Sequence, residues 1–110
     1  MPNVKMRDSE KNRFEIRAAV LKALAHPTRL FMVEELADKA LSVGELTDLI
    51  QADMSTVSKH LSILKNSGLV TSKKKGKQVY YRLRMRCALN FLSCVENVLK
   101  EQAKDRMEAV

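Results

Sequence analysis

The segment 53–70 carries side chains that suit contact with a nucleic acid. Val57, Leu61 and Leu64 recur in it at i, i+4 and i+7, which is the spacing of one apolar stripe on an α-helix. The opposite side offers hydroxyls and a lysine, and no acidic residue occurs between positions 54 and 68. Such a face can approach phosphates and base edges closely. The side chains expected to contact DNA are Ser55, Thr56, Ser58, Lys59 and His60, with Ser42 at the start of the preceding helix.

A lysine cluster follows this segment. Lys73, Lys74, Lys75 and Lys77 fall within five residues, and Gln78 comes next. The chain of 110 residues has 20 Lys and Arg against 13 Asp and Glu, a formal net charge of +7, and its pI is about 9.7. A domain with a pI above about 9 has the charge expected of a duplex-DNA binder. We expect these five side chains to reach flanking phosphates or the minor groove, the alternative being a merely solvated tip.

The two cysteines, Cys87 and Cys94, are the candidates for thiol chemistry. Seven residues on an ideal helix put both thiols on one side but about 10.5 Å apart along the axis. Bonds of about 2.3 Å to one soft ion cannot span that separation, and a disulfide needs Cα atoms within about 7 Å. If Cys87 precedes the helix, however, the chain can fold back and bring the thiols together. The alternative is that both are small buried hydrophobic residues in an interface.

Other features exclude several classes of protein. The chain has no apolar run of about 18 residues, so we expect no transmembrane helix. Positions 1–8 lack the hydrophobic region of a signal peptide, and a cytoplasmic protein with reduced cysteines is therefore expected. The sequence has no phosphate-binding glycine loop and no paired nucleophile and base, and each of its three glycines fits a cap or a turn. We therefore do not expect an enzyme.

The first two elements are predicted to be helices. Apolar spacing predicts a helix over about 10–25, capped by Asp8 or Ser9, after a flexible N-terminus at 1–9. A second helix is expected over 27–37, with its proline in the first turn, where the missing N–H costs nothing. The residues of the second helix that are expected to point inward are Leu30, Phe31, Val33 and Leu36.

A helix-turn-helix is predicted over about 42–67. Ser42 and Glu45 form a capping-box pattern that opens a third helix, which runs to about Ile50. A turn at 51–53 then leads into the helix with the acid-free face. The residues of the third helix that are expected to be buried are Leu46, Leu49 and Ile50.

A hairpin and a last helix complete the predicted domain, which spans about 10–104. Strands are expected over 69–74 and 77–83, with the tip at Lys75 and Gly76, giving a wing over about 69–83. The fold is thus mainly α with a small β-hairpin. The helices at 10–25 and 87–104 offer more apolar surface than so small a core absorbs, which favours a two-fold dimer through both. Val79, Tyr81 and Leu83 should share one face of the hairpin, and Ala88, Phe91, Leu92, Val95, Val98 and Leu99 one face of the last helix.

Five segments carry a resemblance to a known family over about Phe14 to Leu99. They are His26–Leu30 (HPTRL), Ser42–Leu46 (SVGEL), Ser55–Leu61 (STVSKHL), Gly68–Val70 (GLV) and Gly76–Leu83 (GKQVYYRL). In this order and spacing they resemble the ArsR/SmtB family of bacterial and archaeal repressors. The resemblance implies a winged-helix homodimer that binds a palindromic operator in double-stranded DNA and leaves it when an inducer binds. No required cofactor and no membrane partner are expected.

The effector sites of that family bear on the inducer. The cysteines of its enteric arsenic sensors match Ser42 and Gly44 here, and the last helix lacks the histidines of its zinc and nickel sensors. Some arsenic-responsive members carry cysteines at the start of and inside the last helix, as Cys87 and Cys94 are placed, with a third thiol nearby. The resemblance therefore implies a thiophilic inducer, foremost trivalent arsenic, although Ala88 stands where another thiol is expected. Oxidation or persulfidation of the same pair, or a regulator with no effector site, stays open.

Overall fold

The computed structural model describes residues 5–108. Helices dominate, and three short strands form one antiparallel sheet in the order β1-β3-β2. The elements are α1 (Asp8–Leu24), α2 (Pro27–Asp38), β1 (Leu41–Ser42), α3 (Val43–Ile50), α4 (Met54–Asn66), β2 (Val70–Lys75), β3 (Gln78–Leu83) and α5 (Cys87–Glu108). The predicted winged helix-turn-helix is confirmed, with α3 and α4 as the helix pair and β2 and β3 as the wing.

Helix α1 begins earlier than the sequence predicts. Its N-cap is Arg7, which makes no side-chain cap bond, and Asp8 lies inside the first turn. The predicted cap at Asp8 or Ser9 is therefore wrong. Arg7 pairs instead with Glu10 at 2.6 Å, and acidic side chains in a first turn favour the helix dipole. Of the predicted flexible stretch, residues 5–7 are not helical, 8–9 are helical, and 1–4 lie outside the described residues.

The buried faces of α2 and α3 differ in part from the prediction. In α2, Met32 is fully buried, whereas the predicted core residue Phe31 is 40 % exposed. In α3, Leu46 is buried as predicted, but Leu49 is 50 % exposed. Phe31 and Leu49 instead line a shallow groove together with the half-buried Ile50. Phe31 and Leu49 therefore lie at the edge of the helix faces that meet the core.

The sheet contains a strand that the sequence pattern does not reveal. Strand β1 has two residues, and Leu41 and Ser42 pair with the backbone of Tyr81 and Tyr80 in β3. In the hairpin, Lys75 pairs with Gln78. The tip is therefore Gly76 and Lys77, one residue later than predicted. Gly76 has a φ of 63°, a conformation that costs glycine little and that two-residue hairpin turns require at their first position.

The core lies between the inner face of the sheet and the helices. Val57, Leu61 and Leu64 of α4 are all 0–1 % exposed, as their spacing predicts. Leu83 is buried and Tyr81 half-buried on the inner face of the sheet, while Val79 near the tip is 37 % exposed because the hairpin extends beyond the helices there. The remaining large buried side chains are Met32, Leu36, Leu41, Leu46 and Leu69.

Helices α1 and α5 keep much of their apolar surface exposed. Ala88 is the buried residue of α5, and Leu92 is half-buried. The exposed apolar side chains of the two helices include Phe14, Leu21, Phe91, Val95, Val98 and Leu99. No helix within residues 5–108 is long and apolar enough to cross a membrane.

Candidate nucleic-acid interface and thiol site

Helix α4 is held by its apolar side and presents its polar side to solvent. Gln51 adopts the left-handed conformation at the end of α3, with φ of 58°, and its N–H donates to the Thr47 carbonyl at 2.8 Å. The chain then turns into α4, and Gly68 follows α4 with φ of 84°, as its predicted role in ending the helix requires. The side chains exposed along α4 include Ser55, Thr56, Ser58, Lys59 and Ser62. The structure thus brings together most of the predicted DNA-facing set on one rigid helix.

His60 differs from the rest of that set because it belongs to a cluster of basic side chains. Its Nδ1 lies 3.1 Å from Nη1 of Arg29. Its ring contacts that of His26 in a tilted arrangement, with centroids 4.5 Å apart and an angle of 49° between the ring planes. A guanidinium only donates, so Nδ1 of His60 accepts and the ring proton lies on Nε2. Partial burial, followed by the nearby His26 and Arg29, lowers the pKa of His60 below its ordinary value of 6.5.

Arg29 is the structural residue that the sequence analysis missed. It is half-buried, and its Nε donates to the Ala23 carbonyl at the end of α1, at 2.6 Å. With its bond to His60 it links α1, α2 and α4. A cation among the apolar residues of α2 is the one signal that could have indicated it, since a partly buried charge needs partners.

Ser42 is buried, and its hydroxyl caps α3. The side chain is 6 % exposed, and its hydroxyl oxygen accepts from the Glu45 N–H at 3.2 Å. The Glu45 carboxylate in turn accepts from the Ser42 N–H at 3.0 Å. The predicted capping box is therefore confirmed. The predicted DNA contact of Ser42 stays a prediction, and its burial does not favour it.

The predicted wing contacts separate onto two faces of the hairpin. The side chains of Lys73, Lys74, Lys75, Lys77 and Gln78 are all exposed. Because side chains alternate along a strand and paired residues share a face, Lys73 and Lys75 lie on the outer face of the sheet, away from the core. Lys74 pairs with Val79 on the inner face, one residue pair before the end of the strands at the tip. Lys77 lies at the tip.

The two thiols lie on one helix and are exposed. Cys87 is the first residue of α5, so the predicted possibility that it precedes the helix and folds back toward Cys94 does not hold in this state. Both cysteines are free and exposed, and regular helix geometry separates them by about 10.5 Å along the axis. They are therefore not buried hydrophobic residues within the protomer. Within residues 5–108, no three His, Cys, Asp or Glu side chains are grouped so that they could hold a metal ion.

The segment before Cys87 is bonded to Leu69, three residues beyond the end of α4. The N–H groups of Arg84 and Met85 both donate to the Leu69 carbonyl, at 2.9 and 3.1 Å. The Leu69 N–H donates in turn to the carbonyl of Leu64 in α4, at 3.0 Å. Leu69 thus links the segment before α5 to the last turns of α4 by backbone hydrogen bonds.

These features define a winged helix-turn-helix protein. Residues 26–72 match the model of a bacterial regulatory protein family, the arsR family. The chain is 35 % identical over 104 residues to the biofilm growth-associated repressor of Xylella fastidiosa, covering 94 % of this chain and 90 % of the relative. The protein therefore belongs to the ArsR family of transcriptional regulators.

Solved structures of similar proteins share the fold. A homodimeric winged helix-turn-helix DNA-binding domain, Mb0332 from Mycobacterium bovis, has a TM-score of 0.76 at 27 % identity, covering 90 % of this chain and 92 % of that one. Reduced HlyU from Vibrio cholerae has a TM-score of 0.68 at 31 % identity, covering 84 % of this chain and 97 % of that one. The fold and the order of its elements are thus those of known winged helix-turn-helix proteins.

Proposed function

We propose that this protein is a cytoplasmic repressor that binds a palindromic operator as a homodimer and is released by a thiophilic inducer at Cys87 and Cys94. The observation that carries the DNA-binding part is the orientation of α4. Its apolar side is buried, while its exposed side has hydroxyls, Lys59 and no acid. A rigid helix with small donors fits the major groove of duplex DNA.

Dimerisation rests on the apolar surface of α1 and α5. Phe91, Val95 and Val98 are 41–49 % exposed in α5, and covering them with a second copy removes apolar area from water. The Mycobacterium bovis relative is homodimeric, which supports the same assembly here. A two-fold dimer places two α4 helices on half-sites about one helical turn apart.

Lys59→Ala tests the role of α4 in DNA binding. We expect a weaker affinity for the operator, because an exposed cation on the groove-facing side neutralises phosphate. Fluorescence anisotropy on a labelled operator duplex measures it. Lys100→Ala, which removes the same charge from an exposed position on α5, is the matched control. Full affinity of Lys59→Ala, or an equal loss in both variants, would show that α4 does not have this role.

The thiol site requires a change at the start of α5. The first N–H groups of a helix have no partner within it, and those of Ala88 and Leu89 donate to the Met85 and Arg86 carbonyls just before α5. Opening the first turn breaks these bonds. Once it opens, Cys87 can approach Cys94 and both thiolates can bind one soft ion such as trivalent arsenic. The bonds from Arg84 and Met85 to Leu69 then carry the displacement to α4.

An alternative inducer is an oxidant or a persulfide acting on the same cysteines. Both thiols are free and are exposed in the protomer, and free thiols are the groups that such reagents modify. The relative from Vibrio cholerae whose reduced form was solved supports the redox alternative. A regulator with no effector site is the remaining candidate, and substitution of the cysteines distinguishes it from both.

A further inference from the structure

The outer face of the sheet carries cations that are not needed for the fold. The strand register pairs Thr71 with Arg82 and Lys73 with Tyr80. These residues, with Lys75, alternate with the inner residues of their strands and therefore share the outer face. Arg82, which lies five residues beyond the tip of the hairpin, is exposed and is not among the DNA-binding residues proposed above.

A groove of about 610 Å³ opens on this face. Tyr80 is half-buried in it, held between Ser42 of β1 and Lys73 of β2 by the strand pairing. The volume is in the range of small-ligand sites, roughly 300–1,000 Å³. The side chains that line it include Ala40, Thr71, Lys73, Lys75, Tyr80 and Arg82.

The cationic side chains of the groove form no ion pair within the described residues. Three of its side chains are cations, and the part of the chain that the structure describes contributes no acidic side chain to the lining. Within residues 5–108, Lys73, Lys75 and Arg82 form no ion pair. A guanidinium donates in a fork that matches phosphate oxygens, and ammonium and hydroxyl groups add single donors. A phosphate ester supplies both the negative charge and the acceptors.

We propose that this groove is a phosphate-binding site with Arg82 as its central donor. The phosphate comes either from the operator backbone beside the half-site or from a free phosphorylated compound. With the operator as source, the inference rests on the proposed function; with a free compound, it stands apart from it. In both cases the ligand lies on the outer face of the sheet, separate from α4 and from the tip.

The test is an NMR titration of the full-length protein with sodium triphosphate at constant ionic strength. We expect saturable shifts of the amides of Thr71, Lys73 and Tyr80, and a dissociation constant about tenfold higher in Arg82→Gln, as for the removal of one charge-assisted bond. Lys75→Gln should weaken binding in the same direction. Arg84→Gln, an exposed cation just beyond β3 and outside the groove, is the control and should bind as wild type does.

A second titration, on the protein bound to its operator duplex, identifies the source. Loss of triphosphate binding assigns the groove to the DNA backbone, and retained binding assigns it to a free compound; either result supports the site. Absence of saturable shifts in the wild type, or equal affinity in Arg82→Gln and Arg84→Gln, overturns it. The first titration needs no DNA, so a failure of operator binding does not affect its outcome.

Discussion

At the scale of single residues, the contact between α2 and α4 depends on a neutral His60 ring. Nδ1 of His26 accepts from the Thr28 N–H at 3.1 Å, and Nδ1 of His60 accepts from Arg29 at 3.1 Å. A proton on Nδ1 of His60 removes that acceptor and places a second cation beside the guanidinium. The charge state of His60 therefore bears on how α4 is held.

The lowered pKa of His60 gives the stability a pH dependence of known sign. A histidine whose pKa is lower in the folded state binds more protons when unfolded, so its contribution is present above the unfolded pKa, about 6.5, and is lost as the pH falls below it. Urea unfolding at pH 7.5 and 5.5 should show a lower free energy of unfolding at pH 5.5. His60→Gln, which keeps an acceptor for Arg29, should show a smaller decrease. An equal decrease in the variant would exclude His60 as the titrating group.

At the scale of elements, local signals predicted most of the fold and long-range contacts account for what was missed. Helix α4 and the hairpin follow from periodicity, from Gly68 and from Gly76, which act within a few residues. Strand β1 exists because Leu41 and Ser42 lie beside β3, about 40 positions away in the sequence, and no pattern in two residues indicates that pairing. The bond between Arg29 and His60 spans 31 positions, so local sequence patterns could not predict it either.

The candidate site shows the same division. Periodicity predicted which side of α4 is exposed, because that depends on the helix alone. It could not predict that the hydroxyl of Ser42 is occupied, since burial of Ser42 depends on the sheet that forms around it. Periodicity also could not predict that Cys87 is the first residue of α5. The start of this helix is influenced by the bonds from Arg84 and Met85 to Leu69, which is distant in the sequence.

The wing makes a prediction about the salt dependence of binding. Replacement of Lys73, Lys74, Lys75 and Lys77 by Ala, one at a time, should lower the slope of log K against log salt by about one unit for each phosphate that is no longer neutralised. Operator titrations between low and moderate salt measure the slope. Glu101→Gln, which changes charge by the same amount on α5 and in the opposite direction, checks for an effect of net charge alone. An unchanged slope in all four variants would identify the lysines as a solvated tip.

At the scale of the whole molecule, the protomer is extended for its length. Its radius of gyration is 17.7 Å and its extents are 58 × 47 × 22 Å, whereas a compact chain of this length has a radius of gyration of about 13 Å. An extended protomer can be stable because a second copy covers the apolar faces of α1 and α5. The dimer also fixes the distance between the two α4 helices, which is the quantity that the proposed inducer would change.

A charge introduced on the apolar face of α5 tests the dimer. Val95→Glu, at a position 41 % exposed in the protomer, should shift the protein from dimer to monomer, because burial of an unpaired carboxylate is costly. Sedimentation velocity measures the change, and operator affinity should fall with it. Asn97→Glu adds the same charge off the apolar face and should leave the dimer intact. A dimeric Val95→Glu would place the interface elsewhere.

The proposed inducer would act on the whole molecule, since it must bind the dimer better in the state with low affinity for DNA. Under the proposed function, closing of Cys87 on Cys94 would displace the start of α5, and through Leu69 the end of α4, in both protomers. Serine keeps the volume of cysteine but lacks the soft thiolate. Cys87→Ser and Cys94→Ser should therefore bind the operator as wild type does and fail to respond to the inducer.

The most direct measurement is an operator-binding titration of wild type, Cys87→Ser and Cys94→Ser with arsenite, and in parallel with cadmium and a persulfide donor. We predict that arsenite weakens the affinity of the wild type for the operator by roughly 5- to 150-fold, the range of a coupling of about 1–3 kcal/mol, and leaves both variants unchanged. A response to the persulfide donor alone would assign the same site to the redox alternative. Wild type that keeps its operator with all three reagents, or serine variants that release it as wild type does, would contradict the thiol site.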